Sequence, residues 1–383
     1  MRRICVVITA RPSYSRVKTA LAAIQRHPDL ELQLVVAASA LLDRYGSVVN
    51  QIENDGFKIN ERVFMVLEGE NPTSMAKTTG MGVMELATTF LNLSPQIVVT
   101  IADRYETIAT AIAGAYMNIP VAHIQGGEVT GSIDEKVRHA VTKLSDIHLV
   151  ASEDARDRVV KLGEDPQMVF NTGCPSIDLA DQISRTADSS FDPMDKYSGV
   201  GNKLDIRNGY IVVMQHPVTT EYKESRRHIE QTLEAAAELD LPVLWFWPNV
   251  DAGADGTSAG IRRFRELNDA SRFHFYKNMS PSDFLTLLLR SKCLVGNSSV
   301  GIRECAYLGV PVVNIGSRQS GRQRGRNVID VSYDKSQILE SMRKQIAHGR
   351  YSSDPIYGDG KAGEKIADVL SRCELRIDKK IAF

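Results

Sequence analysis

The chain is 383 residues long, enough for two domains that each bury a core of their own. Its formal net charge of −1 offers no electrostatic attraction for nucleic acid or an anionic membrane, so we expect neither as a partner. No apolar run approaches the length of a membrane span, and the five scattered cysteines form no CxxC pair. We therefore expect a cytoplasmic protein with reduced core thiols, and neither a disulfide framework nor a zinc site.

Short β-branched runs alternate with helix-like segments through the first half of the chain. The predicted strands are residues 3–9, 32–38, 97–101, 121–124, 147–150 and 168–171. The predicted helices are residues 17–24, 41–56, 73–93, 105–117, 136–144 and 155–162. Because the connections are short, this alternation predicts a parallel sheet covered by helices on both faces.

The alternation stops between residues 175 and 208, where Pro, Gly and Ser predict a hinge and a surface loop. It resumes with predicted strands at residues 210–214, 243–246, 273–276, 293–295, 312–315 and 327–331. The predicted helices are residues 221–239, 257–268, 281–289, a segment through 306 and 308, 335–348 and 360–373. The sequence thus predicts an α/β protein with two open parallel-sheet domains of similar size.

Ligands of open parallel sheets bind beyond the carboxyl ends of the strands, so residues just after predicted strands are the candidate site residues. Arg11 follows the first strand, where a fixed cation can meet a phosphate or simply lie on the surface. Asp103 follows the strand at 97–101, where it either faces a ligand or caps the next helix.

The densest polar stretch is His-Ile-Gln-Gly-Gly-Glu-Val-Thr-Gly-Ser-Ile-Asp-Glu, residues 123–135. Ser132 and Glu135 fit a capping box, and Asp134 can favour the helix dipole, but Glu128 has no such local explanation. Arg138 and His139 either pair with these carboxylates or lie on a solvated helix face, the interpretation that we favour for His139.

Three segments of the second half carry similar signals. His216 lies in a Gln-His-Pro-Val-Thr-Thr turn, where it can neutralise a phosphate, transfer a proton or simply satisfy a polar contact. Ser298 and Ser299 lie at a strand-to-helix turn whose small residues and free N–H groups suit an anion, although Ser298 as an ordinary N-cap explains it too. Residues 318–326 carry four arginines, which form either a solvated charge run or an anion clamp.

Several cofactor and metal motifs are missing from the sequence. The turn after the first strand has no GxGxxG, and no P-loop GxxxxGK[ST] occurs, which disfavours nicotinamide and ATP chemistry. There is no HExxH, no paired His/Asp metal set and no GxSxG. We therefore expect an enzyme with no metal and no organic cofactor.

Taken together, these segments resemble the hydrolysing UDP-N-acetylglucosamine 2-epimerases of sialic-acid and related nonulosonic-acid biosynthesis. The resemblance covers nearly the whole chain and includes the Arg11 loop, the Asp-Arg-x-Glu segment at Asp103, residues 123–135, the His216 turn, residues 249–253, GNSSVGIRE and the Gly-Arg segment from Gly321. It implies the GT-B fold: two Rossmann-like domains, residues 1–174 and 175–358, with a cleft between them. Residues 359–383 would form a C-terminal helix crossing back to the first domain. Family members commonly form dimers or tetramers, so a homodimer or homotetramer is implied.

The resemblance also implies a role for each candidate residue. The diphosphate of a UDP-sugar would be held by Arg11, His216, Ser298, Ser299 and Arg322, and the ribose by Glu304. The candidates for acid–base work are Asp103, Glu128 and Asp134, with Gln125 and His216 beside them. The sugar-side residues would be Ser13, Arg16, Arg104 and Asp251.

The implied reaction is an elimination followed by hydration. The enzyme removes the C2 proton and breaks the C1–O bond, which expels UDP and leaves a 2-acetamidoglucal. Water then adds with inversion at C2 and gives free N-acetylmannosamine or a deoxy analogue. Fixed cations and N–H groups would stabilise the diphosphate as the bond breaks.

This sequence departs from the family pattern at three places. Gln125 stands where some members have a catalytic Glu, and an amide cannot accept or donate a proton in acid–base work. Ala102 stands where Gly is usual, and Pro12-Ser13 replaces the commoner Ala-Asp. Either Gln125 only orients the sugar and Glu128 or Asp134 acts as the base, or the substrate differs from UDP-GlcNAc. The Pro12-Ser13 difference is consistent with altered sugar recognition, such as that of a 4-acetamido-6-deoxy sugar like UDP-N,N'-diacetylbacillosamine.

Three other activities remain open. A non-hydrolysing epimerase would return a nucleotide-linked sugar, and the Gln-Gly-Gly-Glu and Gln-His-Pro-Val-Thr-Thr forms favour the hydrolysing branch by resemblance. A GT-B glycosyltransferase would need an acceptor before UDP was released. A catalytically inactive nucleotide-sugar-binding subunit would bind UDP without turnover.

Overall fold

The computed structural model describes residues 1–42, 48–68, 72–129, 134–186, 191–248 and 254–382. The described residues form two compact units. The first unit contains those up to Asp178 together with those from Tyr357 onward, and the second contains those from Leu179 to Ile356.

The first unit is built on a parallel sheet. Its strands are β1 (Arg2–Ile8), β2 (Leu30–Ala37), β3 (Glu61–Val63), β4 (Ile97–Ile101), β5 (Val121–Ile124), β6 (Ile147–Val150) and β7 (Val169–Asn171). They lie in the order β3-β2-β1-β4-β5-β6-β7. β3 is not predicted from the sequence, because it has only three residues and two of them are exposed.

Helices cover this sheet. They are α1 (Arg11–Ser15), α2 (Lys18–Arg26), α3 (Val48–Asn54), α4 (Pro72–Leu93), α5 (Thr107–Tyr116), α6 (Asp134–Leu144), α7 (Glu153–Lys161) and the beginning of α8 (Pro175–Thr186). A helix from the C-terminal region, Ala362–Arg372, packs on α2. Its first backbone N–H groups, those of Ala362 and Gly363, donate to the Asp178 carboxylate at 2.8 and 2.7 Å.

The second unit contains a second, mostly parallel sheet. Its strands are β8 (Gly199–Gly201), β9 (Ile211–Met214), β10 (Val243–Phe246), β11 (Phe273–Tyr276), β12 (Cys293–Gly296), β13 (Val312–Ile315) and β14 (Val328–Val331). They lie in the order β14-β13-β12-β9-β10-β11-β8, and β8 alone in this sheet pairs antiparallel. Its helices, besides the rest of α8, are α9 (Pro193–Lys196), α10 (Ser225–Ala237), α11 (Ala254–Leu267), α12 (Pro281–Arg290), α13 (Ser299–Ile302), α14 (Glu304–Leu308) and α15 (Lys335–His348), so that Ala362–Arg372 is α16.

The prediction of a hinge and surface loop at residues 175–208 is wrong for much of that region, because α8, α9 and β8 lie there. α8 is amphipathic and buries Ile177, Ala180 and Ile183 at a spacing of three residues. β8 forms because its glycines let the chain approach β11 closely. A Cβ at Gly199 would lie 2.1 Å from the His274 ring.

Three predicted helices are interrupted. Residues 221–239 divide into a 3-10 helix, Thr219–Glu224, and α10. The segment predicted at 41–56 begins as the end of a 3-10 helix, Ala38–Leu41, and continues as α3, with residues 43–47 outside the described ranges. The helix after β12 divides at Arg303, whose φ of −101° and ψ of −73° separate α13 from α14.

Central strands such as β1, β4 and β9 are near-continuous apolar runs because helices cover both faces of each sheet there. The cysteines are buried free thiols, which confirms the prediction that they are core residues; they are Cys5, Cys174, Cys293, Cys305 and Cys373. Among the helices of the described ranges, none is both long enough and apolar enough to cross a bilayer.

Candidate active site

The carboxyl ends of β4 and β5 turn sharply in the first unit. Ala102 and Gln125, the residues that follow these neighbouring strands, both have left-handed backbones, with φ of +62° and +66°. This region favours glycine and costs about 1 kcal/mol for other residues, so both turns are strained. The Ala102 carbonyl is hydrogen-bonded to His123 Nε2 at 2.9 Å.

Arg138 brings two of the predicted acid–base residues together. Its guanidinium, 1% exposed, donates to the Asp103 carboxylate and lies 3.6 Å from Glu128 Oε2. It also donates to the main-chain oxygen of Gln125 at 3.2 Å. A buried cation between two carboxylates offsets the repulsion between their charges.

This arrangement decides between the two interpretations of Asp103. The capping interpretation is wrong, because α5 begins after Glu106 and has no side-chain cap. Glu106 is fully buried and accepts a hydrogen bond from Arg104 Nε at 2.7 Å. Arg104, predicted on the sugar side, is therefore oriented by a carboxylate two residues further on.

The Gln125 side chain lies among neutral groups. Its Nε2 donates to Cys174 Sγ at 2.8 Å, and Cys174 Sγ lies 2.9 Å from Ser176 Oγ. Within the described residues, Gln125 Oε1 is buried and has no hydrogen-bond partner. Arg138 donates to the backbone carbonyl of Gln125, whereas the side-chain amide is held by the Cys174 thiol. The sequence did not predict this thiol contact.

Arg11, Ser13 and Arg16 lie in or directly after α1, which begins at the carboxyl end of β1, next to β4 in the sheet. Ser13 is buried, and the two arginines are partly exposed. α1 is fixed by Tyr14, whose hydroxyl donates to Asp55 at 2.5 Å.

Two of the predicted site residues are not described. The side chain of Asp134 and all of Asp251 lie outside the described residues, as do Ser132 and the rest of the 249–253 turn. Glu135 lies 3.4 Å from His139 Nε2, and both side chains are about one-third exposed. His139 is thus paired with a carboxylate of this segment, the interpretation that we did not favour, although its side chain stays partly exposed.

In the second unit, Asn297 fixes the His216 turn. Asn297 Oδ1 accepts from the His216 backbone N–H, and Asn297 Nδ2 donates to the His216 carbonyl, both at 2.8 Å. Burial, and then the charge of Arg318, lower the pKa of His216 to about 3. His216 is therefore a neutral hydrogen-bonding group at neutral pH.

The serine turn after β12 depends on Gly296. Its φ is +130°, and a Cβ there would lie 2.1 Å from the Met214 carbonyl oxygen. Ser298 is the N-cap of α13 and accepts from Val300 N at 3.5 Å, so the capping interpretation is confirmed for its side chain. Ser299 Oγ accepts from Arg303 at 3.1 Å.

The arginine-rich loop after β13 packs on the same turn. Arg318 Nη1 and Gln319 Nε2 donate to the Asn297 carbonyl at 3.1 and 2.8 Å. Arg324 donates to the Arg322 carbonyl at 3.1 Å. Arg322 is buried, so the charge-run interpretation does not hold for it, whereas Arg326 is exposed.

Glu304 begins α14 and is 8% exposed. Its Oε2 lies 3.9 Å from Arg303 Nε and has no hydrogen-bond partner in the described part of the chain. A buried carboxylate oxygen of this kind accepts hydroxyl donors such as those of a ribose. The described residues contain no group of three or more His, Cys, Asp or Glu that could hold a metal ion.

Asn297 is the residue that sequence reasoning missed. It directly follows β12, and a position just after a strand is what identified the other candidates. The sequence analysis assigned the function of this turn to the neighbouring serines instead. Its side chain is hydrogen-bonded to His216 and so connects the ends of β9 and β12. Its carbonyl accepts a hydrogen bond from Gln319 of the arginine-rich loop.

Two α/β units with polar side chains beyond the strand ends define a protein of the GT-B fold, as predicted. The chain belongs to the UDP-N-acetylglucosamine 2-epimerase family, whose model matches residues 22–371. The family predicted from the sequence is thereby confirmed.

Two curated proteins and one solved structure are similar to this chain. The UDP-N,N'-diacetylbacillosamine 2-epimerase (hydrolyzing) of Legionella pneumophila is 32% identical over 98% of this chain and 97% of its own length. The UDP-N-acetylglucosamine 2-epimerase of Neisseria meningitidis is 29% identical over 98% and 96%. The crystal structure of UDP-GlcNAc 2-epimerase from N. meningitidis bound to UDP-GlcNAc matches with a TM-score of 0.77 at 18% identity, covering 96% of this chain and 99% of that one.

Proposed function

We propose that this protein is a hydrolysing 2-epimerase that converts a UDP-2-acetamido sugar and water into UDP and a free manno-configured sugar. The observation that carries the proposal is the buried cluster in which Arg138 contacts both Asp103 and Glu128. The chain's family and the name of its Legionella relative support the same reaction class.

The first unit supplies the acid–base groups. A carboxylate takes the C2 proton, the C–H electron pair forms the C1=C2 double bond, and the C1–O bond electrons leave with UDP. Water then adds its hydroxyl to C1 while C2 is protonated on the opposite face, which inverts C2. Because no carbonyl adjoins C2, carboxylates aimed at the ring must do this work, and Asp103, Glu128 and Asp134 are the candidates.

Gln125 cannot transfer a proton, so we assign it to orienting the sugar. Its buried Oε1, which has no hydrogen-bond partner among the described residues, is an acceptor for a sugar N–H or O–H. Ser13, Arg16, Arg104 and Asp251 are proposed on the sugar side.

The second unit supplies groups for the nucleotide. His216, Ser298, Ser299 and Arg322 hold the diphosphate, and Glu304 accepts from the ribose hydroxyls. Arg11 stays a candidate for the diphosphate from the family resemblance. Charge accumulates on the diphosphate as the C1–O bond breaks, so these contacts strengthen towards the transition state. The buried Glu304 Oε2 supports the ribose assignment.

The sugar itself has two candidates. UDP-GlcNAc is the first, and the UDP-linked 2,4-diacetamido-trideoxy sugar, UDP-N,N'-diacetylbacillosamine, is the second. One observation favours the second candidate, namely the name of the Legionella relative. The departure from the family pattern that the resemblance implies at Gln125 points in the same direction.

The test is to incubate the purified protein with each nucleotide sugar in D₂O, without added metal or nicotinamide, and to follow the products by NMR. We expect stoichiometric free UDP and a free manno sugar that carries deuterium at C2. The preferred substrate is the one with the higher kcat/KM.

Each alternative gives a different product. Retention of the original hydrogen at C2 would refute elimination. A nucleotide-linked product with little free UDP would identify a non-hydrolysing epimerase, and UDP release only with an added acceptor would identify a glycosyltransferase. UDP binding without any turnover would identify an inactive subunit.

A further inference from the structure

Glu221 has no part in the proposed function, yet it joins three chain segments of the second unit. It lies in the 3-10 helix Thr219–Glu224, which begins three residues after His216. Its carboxylate accepts a hydrogen bond from the Ser317 hydroxyl. Burial, and then the charge and hydrogen bonding of Glu221, raise the pKa of Tyr333, so this tyrosine stays protonated. One carboxylate thus connects the segments that leave β9, β13 and β14.

These contacts close a ring around the predicted diphosphate-binding turn. Ser317 is followed by Arg318 and Gln319, which both donate to the Asn297 carbonyl. The Asn297 side chain in turn makes two hydrogen bonds to the His216 backbone. The chain from His216 leads back to Glu221, so every member of the ring restrains the next.

Aromatic packing makes the Glu221 corner of the ring rigid. The His228 ring stacks on Tyr333 with centroids 3.5 Å apart and planes within 1° of parallel. His228 Nδ1 lies 3.9 Å from Glu221 Oε2. Tyr333 also covers Gly316, where a Cβ would lie 2.1 Å from the ring. Gly316, the residue before Ser317, is therefore packed against Tyr333 directly after the end of β13.

We propose that Glu221 is a positioning residue for the diphosphate, because it fixes the loop that carries Arg322 relative to His216. The inference rests on the proposed function, in which the second unit binds a nucleoside diphosphate. An anion site binds tightly when its donors are held in place before the ligand arrives.

Electrostatics alone makes the opposite prediction. Glu221 is an anion close to the residues that would receive another anion, so removing its charge should tighten UDP binding if charge were all that mattered. If Glu221 acts by positioning, its removal weakens UDP binding. The sign of the change therefore distinguishes the two explanations.

The experiment measures binding of UDP and of uridine by isothermal titration calorimetry to the wild type, to four single variants and to the double variant Glu221→Ala/Ser317→Ala. Glu221→Ala should weaken UDP binding by about tenfold and leave uridine binding nearly unchanged, since only phosphate contacts depend on the loop. Glu221→Gln keeps an acceptor for Ser317 and should retain UDP affinity within about threefold. Ser317→Ala should weaken UDP binding but add little to Glu221→Ala, because both remove the same contact.

Glu224→Ala is the matched control. Glu224 lies in the same 3-10 helix, is half exposed and pairs with Arg227 at 2.8 Å. Glu224→Ala removes one negative charge, as Glu221→Ala does, but breaks none of the hydrogen bonds that link Glu221, Ser317, Asn297 and His216. UDP affinity should therefore not fall.

Three results would overturn the inference. Unchanged or tighter UDP binding by Glu221→Ala would show that the carboxylate does not position the site. If Glu221→Ala loses UDP affinity and uridine affinity equally, or if it lowers the melting temperature of the protein, the substitution damages the second unit as a whole. If the wild type fails to bind UDP, the proposed function falls first and the inference falls with it; UDP binding by the wild type with an unaffected Glu221→Ala overturns the inference alone.

Discussion

Arg138 donates a hydrogen bond to Asp103 from a fully buried position, although Asp103 follows β4 and Arg138 lies on α6. The same guanidinium also pairs with Glu128, whose Oε2 lies 3.6 Å from Arg138 Nη1. Two carboxylates that would repel each other in the interior are therefore compensated by one cation. The arrangement holds two candidate acid–base groups close to each other.

Replacing Arg138 should destabilise the protein strongly. Arg138→Met leaves Asp103 and Glu128 buried without their shared cation, and we expect a loss of about 3–5 kcal/mol in the free energy of unfolding. Lys136→Met is the matched control, because Lys136 is exposed on the same helix and should cost within about 0.5 kcal/mol. Urea denaturation followed by circular dichroism measures both. Equal stabilities of the two variants would mean that Arg138 compensates nothing.

Neutralising the carboxylates should reduce turnover and leave UDP binding almost intact. Asp103→Asn and Glu128→Gln remove the candidate bases, which contribute about 10²–10⁴-fold to rates of this kind. UDP release measures turnover, and calorimetric titration measures UDP affinity. Glu135→Gln serves as the control, since Glu135 is partly exposed and pairs with His139. Wild-type turnover in both test variants would leave Asp134 as the remaining candidate.

The sequence predicts most of the fold, because the strands are apolar runs buried on both faces. β8 escapes detection for a physical reason: its Gly-Val-Gly sequence has no strand pattern, and its pairing depends on the space beside β11. β3 is missed because three residues carry too little periodicity. In both cases the neighbouring strand determines the structure.

The sequence predicts which residues belong to the candidate site, but it does not predict which side chains contact each other there. Asp103 and Glu128 stand out because they follow strands, yet the sequence left open whether Asp103 caps a helix. That question depends on where Arg138 lies, which tertiary packing decides. The thiol partner of Gln125 could not be predicted either, because Cys174 is 49 positions away in the chain.

Asn297 should control nucleotide binding without contacting the sugar. Asn297→Ala removes both hydrogen bonds to His216 and leaves its backbone groups unsatisfied, so we expect UDP affinity to fall by about tenfold or more. Asn297→Asp keeps the acceptor but loses the donor, and its effect should be intermediate. Ser298→Ala and His216→Ala should also weaken binding. Unchanged UDP titration curves for all of them would count against the second unit as the diphosphate site.

His123 should make the protein less stable as the pH falls. Burial lowers the pKa of His123 to about 3, whereas in the unfolded chain it is about 6.5. Below pH 6.5 the unfolded chain takes up a proton that the folded protein refuses, so stability present above that pH is lost progressively towards pH 3. At pH 5 the loss due to this one group amounts to about 2 kcal/mol.

Two histidine variants isolate the contribution of His123. His123→Asn removes the titrating ring, so its free energy of unfolding should fall between pH 7.5 and pH 5 by about 2 kcal/mol less than that of the wild type. His348→Asn replaces an exposed histidine and is the control for the loss of one imidazole. Urea denaturation at several pH values gives the three curves. Parallel curves for His123→Asn and the wild type would show that His123 is protonated as readily in the folded protein as in the unfolded chain.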